Sequence, residues 1–462
     1  MNSLREGRSA MKGPRIRALG SIAALWLGTG CLLAVLVRAA SAQGNLAPGT
    51  VLSRENWQLA EGLLPPEILQ HYREGHYQNP IIDWPEGVYR WDPRFVAATE
   101  SNRGRYTISP EGTILEVATG KQPPFIYGLP FPQIDPAKDS NAAIKILWNF
   151  NYQYWNEGSS HNLVRLVWVR PKGVDREATQ DVYFQYYDGQ DPEYQLPNPN
   201  NFSMQFVAVA TSPADLHGTA SLTWRYRDPN KRDSNWAYVP ALRRVRAVSP
   251  ANRSDGFLGS DMSQDDGPFF DGKPEDFTWS FVKEAETLRI VDPESFQGLP
   301  ERYWLPEGGW RTVWANDKVV GFQFPDWRGI AWAPVRAALA KRKVWVIEGV
   351  PKDRYYLYGR IELYIDKETY QGAWNRKFGW NGEHINTLQV VAYQRDKNRR
   401  PTDGKDEYQW SSHFSFQCAE NVKLNRATVA GLVPAGKDIP NDRRVRFAAS
   451  FFDSATLNRF GK

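Results

Sequence analysis

The sequence predicts a mainly β protein, in which a curved antiparallel sheet or incomplete barrel is crossed by helices over an apolar cavity. Three observations lead to this prediction. Nearly all periodic segments alternate apolar and polar residues with a period of two, and only two segments look helical. Turn signals such as Asp228-Pro229-Asn230 separate the strands. Aromatic residues make up 13% of the chain and must cover a large apolar surface.

The N-terminal residues 1–42 are predicted to be a signal peptide. Residues 1–17 carry five bases against one acid, and an apolar stretch covers residues 18–37. Ala40-Ser41-Ala42 then provides the small-x-small pattern of a signal peptidase site, so we expect cleavage between Ala42 and Gln43. The mature chain, residues 43–462, is then a single large domain in the periplasm.

Two other interpretations of this segment stay open. The first is an uncleaved membrane anchor, because the apolar stretch has about the 20 residues that a helix needs to span a bilayer. A lipoprotein attached at Cys31 is the second, although Gly28 stands where a lipobox has an apolar residue.

The charge of the mature chain argues against nucleic acid as a partner. The chain has 57 Lys and Arg and 52 Asp and Glu, and residues 1–42 hold six of the bases and one of the acids. The mature chain therefore has 51 of each, whereas nucleic-acid binding depends largely on neutralising phosphates. Its one cysteine, Cys418, excludes an intramolecular disulfide.

Two segments are predicted to be helical. The first covers residues 54–73 and is interrupted at Pro65-Pro66, and the second covers residues 139–158. The remaining periodic segments are predicted to form an antiparallel sheet with one buried face. These strands cover residues 163–169, 182–187, 219–226, 355–365, 387–394, 410–417 and 445–452.

Four aromatic residues are predicted to line the cavity: Trp224, Tyr226, Trp236 and Tyr238. Such a lining offsets the cost of hydrating an acyl chain, about 0.8 kcal/mol per methylene, while indole and hydroxyl groups can bind a polar head. The alternative is that all four are ordinary core residues of the sheet.

Several motifs resemble the exported bacterial family DUF1329 and, through it, the LolA and LolB proteins that sort outer-membrane lipoproteins. They are Trp236-Ala-Tyr238-Val-Pro240, Arg243-Arg244-Val245-Arg246, Asn252-Arg253-Ser254, Gly259-Ser260-Asp261, Asp265-Asp266, Glu55-Asn56-Trp57 and the segment of residues 358–366. The resemblance spans most of the mature chain, which is far longer than the small lipoprotein carriers.

This resemblance implies a LolA-like fold, a strongly curved and unclosed antiparallel β-barrel whose helices cover an apolar interior. It also implies a protein that handles a lipid or other lipophilic molecule in the periplasm, together with an inner-membrane RND-type exporter and an outer-membrane partner.

The charged residues of these motifs allow two interpretations. Arg243, Arg244, Arg246 and Arg253 pair with Asp261, Asp265 and Asp266 in a network that fixes the loop, or the arginines bind an anionic head group or an acidic partner. A calcium loop is not expected, because the EF-hand ligand spacing is missing.

No motif for catalysis, a metal or a cofactor is recognised. The six histidines form no zinc signature, and no nucleophile elbow, phosphate-binding loop or dinucleotide fingerprint is present. We therefore expect no metal, no cofactor and no enzyme, with a glycan-acting enzyme as a residual alternative.

Three functions are compatible with these features of the sequence. The sequence favours a carrier or chaperone of a lipophilic molecule. The alternatives are a glycan-binding envelope protein, because exposed aromatic faces stack on sugars, and an adaptor without cargo in an envelope transport complex.

Overall fold

The long alternating segments form a large antiparallel sheet in the computed structural model of this protein. The structure describes residues 46–84, 91–296, 302–306, 308–313, 318–392, 395–399, 406–410, 414–434 and 436–461. The predicted signal peptide and its cleavage site at Ala42 and Gln43 lie outside these residues.

Three α-helices and several 3₁₀ helices occur in this part of the chain. The α-helices are α1 (Pro66–Glu74), α2 (Pro93–Ser101) and α3 (Ala142–Trp155), and the longest 3₁₀ helix is Ser454–Gly461. Pro66 occupies the first turn of α1, where its missing N–H costs no hydrogen bond, so Pro65-Pro66 begins this helix. The preceding residues form only a 3₁₀ helix, Trp57–Ala60. No helix in the described ranges is both long and apolar enough to span a membrane.

Short and long strands alternate with these helices along the chain. In chain order they are β1 (Val51–Leu52), β2 (Asn79–Ile82), β3 (Tyr106–Ile108), β4 (Ile114–Glu116), β5 (Ser160–Arg170), β6 (Gly173–Tyr186), β7 (Phe202–Ser212), β8 (Ala220–Tyr226), β9 (Ser234–Val239), β10 (Arg244–Val248), β11 (Phe277–Val291), β12 (Arg302–Trp304), β13 (Trp310–Thr312), β14 (Ala338–Pro351), β15 (Arg360–Asp366), β16 (Gly372–Phe378), β17 (His384–Ala392), β18 (Arg395–Arg399), β19 (Asp406–Trp410), β20 (Phe414–Asn421), β21 (Arg426–Gly431) and β22 (Asn441–Arg443).

The main sheet contains 18 of these strands. Antiparallel pairing runs through β11, β14, β15, β16, β17, β20 and β21, continues from β21 to β5, and then follows β6, β7, β8, β9 and β10. No residue register joins β10 to β11 in the described chain, so the sheet is not closed. The prediction of a mainly β, unclosed antiparallel fold is confirmed.

Both faces of the central strands are buried, so the prediction of one buried face is wrong for this region. On β20, the whole run of residues 416–420 is at most 4% exposed. We call the face with Leu166, Gln417 and Ala430 the cavity face, and the opposite face, with Cys418 and Val429, the α1 face. A sheet covered on both sides lacks the polar outer residues that mark a half-buried strand.

The helices lie on different faces of the sheet. On the cavity face, Phe150 of α3 packs against Phe269, with ring centroids 5.3 Å apart and the rings tilted by 60°. On the α1 face, His71 of α1 contacts Glu420 of β20 at 2.6 Å. The expectation that both predicted helices cross one side is therefore wrong for α1.

The predicted C-terminal strand, residues 445–452, is also wrong. Its last residues form the 3₁₀ helix Ala449–Phe452, and Phe447 and Phe451 pack beside Tyr183 of β6. The high aromatic content of this segment resembles that of a strand, although it covers the outside of strands β6 to β9.

Candidate ligand cavity

An apolar cavity of about 160 Å³ lies on the cavity face. Successive even-numbered residues of β7 point into it because side chains alternate along a strand. The main lining residues from the sheet are Val164, Leu166, Val182, Phe184, Met204, Phe206, Ala208 and Ala430. Engineered apolar cavities of about 150 Å³ accept a benzene-sized molecule, so this one suits a short apolar segment.

The segment of residues 253–271 closes the cavity and is called here the plug. Phe257, Met262 and Pro268 line the cavity from this side. The side chain of Phe269 is only 2% exposed and packs against Gly372 of β16, where an added Cβ would lie 2.2 Å from the ring. Glycine at this position therefore allows the plug to approach the sheet closely.

Hydrogen bonds from buried polar side chains hold the plug on the sheet. Gln417 donates to the carbonyl oxygen of Asp266 at 2.8 Å, and Asn375 donates to that of Phe269 at 2.8 Å. Asn386 donates to the carbonyl oxygen of Asp261 at 3.0 Å. These three hydrogen bonds thus join side-chain amides of the sheet to backbone carbonyl groups of the plug.

Each acidic residue predicted in the motif faces a cationic side chain. The Asp261 carboxylate lies 2.8 Å from Arg426, and that of Asp266 lies 2.6 Å from Lys377. Asp265 is 2.7 Å from Arg253. These charges pair within the protein, which differs from the oxygen-only shell that calcium prefers.

Arg253 stands at the centre of a buried ion network between the plug and β8. It lies 3.0 Å from Asp233 and 3.4 Å from Asp271, besides its contact with Asp265. Arg225 of β8 contacts Asp233 and Asp271, each at 3.1 Å. Two guanidinium groups thus face three carboxylates.

Carboxylates outnumber guanidinium groups in this network, and the pKa of one of them, Asp271, is shifted. Asp271 also borders the cavity. Burial raises the pKa of Asp271 to about 6, and the two arginines only partly oppose this effect. Arg225 and Arg253 instead hold the pKa of Asp233 below its usual value, against the effect of its burial. The charge of the network therefore changes with pH through the protonation of Asp271.

The other predicted arginines lie outside this network. Arg243 follows a 3₁₀ turn in the left-handed conformation, with φ of 49°, and Arg244 and Arg246 project from β10. All three side chains are exposed, and β10 pairs only with β9 in the described chain. The structure brings together Arg253 and Asp265, but not these three arginines and the acids.

The four predicted cavity aromatics do not line this cavity. Thr223 of β8 points into it, so the alternation of the strand places Trp224 and Tyr226 on the other face. Trp224 packs edge to face on Trp236, with centroids 4.6 Å apart, and donates to the carbonyl oxygen of Phe452 at 2.8 Å. Both tryptophans pack against a cluster on the outside of β6 to β9, called here the outer cluster, in which Tyr238 is buried.

Trp236 also borders an adjoining cleft of about 320 Å³ over strands β7 to β10. The cleft and the cavity share Gln180, Ala208, Thr223, Phe257 and Gln264 as lining residues. Phe257 and Gln264 of the plug therefore stand between the cavity and the edge of the sheet.

The cavity residues of β7 and the polar anchors Lys377 and Gln417 were missed by sequence reasoning. The alternation Met204, Phe206 and Ala208 is a detectable strand signal. A lone polar residue in a buried strand gives no comparable signal, because its partner is the plug, more than 100 residues away along the chain.

The match to a family model decides the family of this chain. The model described as Protein of unknown function (DUF1329) matches residues 51–395. The chain belongs to the DUF1329 family. The predicted resemblance is thereby confirmed for most of this DUF1329 protein.

Several solved structures are similar to this DUF1329 protein at low identity. One described as an outer membrane lipoprotein-sorting protein domain from Vibrio parahaemolyticus is 15% identical, covers 70% of this chain and 100% of its own, and has a TM-score of 0.44. A DUF1329 family protein from Desulfovibrio piger is 15% identical, with coverages of 68% and 96% and a TM-score of 0.43.

A LolA superfamily protein from Nitrosomonas europaea is 12% identical, covers 67% of this chain and 95% of its own, and has a TM-score of 0.37. No curated protein matches the sequence.

Proposed function

We propose that this DUF1329 protein is a periplasmic carrier or chaperone that binds a lipid or another lipophilic molecule in the cavity beneath the plug. The observation that carries the proposal is the apolar cavity between β5 to β8 and residues 253–271. Its apolar lining favours an acyl segment, since each buried methylene contributes about 0.8 kcal/mol.

The plug has to move for a cargo larger than the closed cavity. Its bonds to the sheet are polar, and water or a polar head group can replace such bonds when the plug leaves. The cleft beside Phe257 and Gln264 gives a direction for this movement, towards the sheet edge at β10. We infer that an amphipathic cargo places its tail in the cavity and its head among the anchors released by the plug.

The proposed setting is transport towards or from the outer membrane, with an RND-type exporter and an outer-membrane protein as partners. The exposed Arg243, Arg244 and Arg246 on and beside edge strand β10 support an acidic docking partner. Charge reversal of all three is expected to abolish copurification with such a partner while leaving cargo binding unchanged. Unchanged copurification would remove this part of the proposal.

The cavity itself is tested by filling it. Ala208 is 3% exposed and lines the cavity, so Ala208→Phe places a ring inside it. The matched control is Ala247→Phe on β10, where the side chain is exposed. Displacing about two methylene groups of ligand weakens binding roughly tenfold.

The measurement is the affinity for an environment-sensitive naphthylamine probe and for a fluorescent fatty acid, with circular dichroism as the check on folding. We expect a tenfold loss in Ala208→Phe and no change in Ala247→Phe. Equal affinity in the two folded variants would exclude this cavity as the binding site.

A further inference from the structure

A cluster of two histidines and one glutamate lies at the C-terminal end of α1, on the opposite face of the sheet from the cavity. Gly75, with φ of 78°, ends α1 and reverses the chain, so that the His76 N–H bonds to the carbonyl oxygen of His71 at 2.7 Å. This turn brings His76 back beside His71, although the two are five residues apart. The side chain of Glu74 completes the group.

The spacing of the ligand atoms fits a tetrahedral metal ion. The Nδ1 atoms of His71 and His76 are 3.4 Å apart, and Nδ1 of His76 is 3.2 Å from a carboxylate oxygen of Glu74. Ligands at about 2.0–2.1 Å from a tetrahedral zinc ion are separated by about 3.3–3.4 Å. The three ligand atoms all lie within 4.8 Å of one another.

Neighbouring groups orient two of the ligands. The Nε2 atom of His71 lies 2.6 and 2.8 Å from the two oxygens of Glu420, which places the ring proton on Nε2 and leaves the Nδ1 lone pair for a metal. Gln70 donates to the other oxygen of Glu74 at 2.5 Å. Tyr77 stacks on the His71 ring, with centroids 4.6 Å apart.

Exposure and charge also suit a divalent cation. The side chains of His76 and Glu74 are 36% and 43% exposed, whereas those of His71 and Glu420 are 11% and 5% exposed. An ion can therefore enter from solvent and bind to a buried, oriented imidazole. Two carboxylates and two neutral imidazoles balance a charge of two.

We propose that His71, Glu74 and His76 form a zinc site, with Glu420 as the positioning residue for His71. Two imidazoles and one carboxylate form one of the ligand sets found in open zinc sites, which keep a fourth position for water or another ligand. The site joins the end of α1 to β20 through the contact between His71 and Glu420. The sequence-based expectation of no metal followed from the absence of an i, i+4 histidine pair and of a known metal signature. His71 and His76 are five residues apart, a spacing that a continuous helix cannot bring together but a helix end with a glycine turn can.

The test is zinc titration by calorimetry on the full chain, purified without a histidine tag and treated with chelator. We expect one zinc per chain, and at zinc concentrations 100 times Kd a rise in Tm of about 3 °C for a chain of this length. His76→Gln and Glu74→Gln change side chains that reach solvent and should each weaken binding at least tenfold. The matched control, His217→Gln, alters an exposed histidine elsewhere and should bind as the unmodified chain does.

Glu420→Gln tests the positioning role, because loss of an outer-shell partner weakens metal binding 10- to 100-fold. Absence of stoichiometric zinc binding to the unmodified chain would overturn the proposal. So would affinities of His76→Gln and Glu74→Gln equal to that of His217→Gln.

Discussion

Replacing Arg253 by Met is expected to break the buried network that holds the plug. The substitution keeps a long apolar side chain but leaves Asp265 without an arginine contact and Asp233 and Asp271 with Arg225 alone. Removing one partner from a buried ion pair costs about 3–5 kcal/mol. This is a large part of the roughly 5–15 kcal/mol by which a folded domain is stable.

The assay is equilibrium unfolding in urea at pH 7.5, followed by tryptophan fluorescence. The control is Arg246→Met, since Arg246 is exposed on β10 and surface changes usually alter stability by at most about 0.5 kcal/mol. Hydrogen exchange locates the effect, and amides of the plug should lose more protection than those of β5. A loss in Arg253→Met no larger than in Arg246→Met would refute the importance of the network.

Three further predictions test the network, the outer cluster and the docking of α1. The unmodified protein should lose roughly 1–3 kcal/mol of stability as the pH rises from about 4 to 6, because the folded state holds the proton of Asp271 more strongly than the unfolded chain does. Asp271→Asn should remove this loss, and urea unfolding across this pH range measures it. Trp224→Ala should lower stability by about 2 kcal/mol or more without changing probe binding, since the indole packs outside the cavity. Glu67→Gln should lower the free energy of unfolding by about 3 kcal/mol at pH 7, because the carboxylate pairs with Arg376 at 2.7 Å. Since the pKa of Glu67 is depressed in the folded state, the difference from the unmodified protein should shrink below pH 4 in the same assay.

The fold class could be predicted because strand alternation is a local property. The segments at β5, β8 and β15 were predicted from period-two patterns, and α3 from its apolar run. The position of α1 could not be predicted, because it depends on contacts between Glu67 or His71 and strands more than 300 residues later.

The residues of the cavity were harder to predict than the fold. Aromatic residues on β8 and β9 can equally line a ligand cavity or form an ordinary core. The sequence does not show which face of the sheet the plug covers. Thr223 and Trp224 point to opposite faces of β8, and only the face with Thr223 lines the cavity. Of the motif charges, Arg253 and Asp265 meet because the plug turns back on itself between them, a contact that no local pattern specifies.

The most direct test of the carrier proposal is mass spectrometry of the organic extract from the protein, purified from the cell envelope without detergent. The proposal predicts a stoichiometric lipid or other lipophile in the extract of the unmodified protein and of Ala247→Phe, with a strongly reduced amount in Ala208→Phe. An empty extract from folded, unmodified protein would contradict it and would favour the adaptor or glycan-binding alternatives.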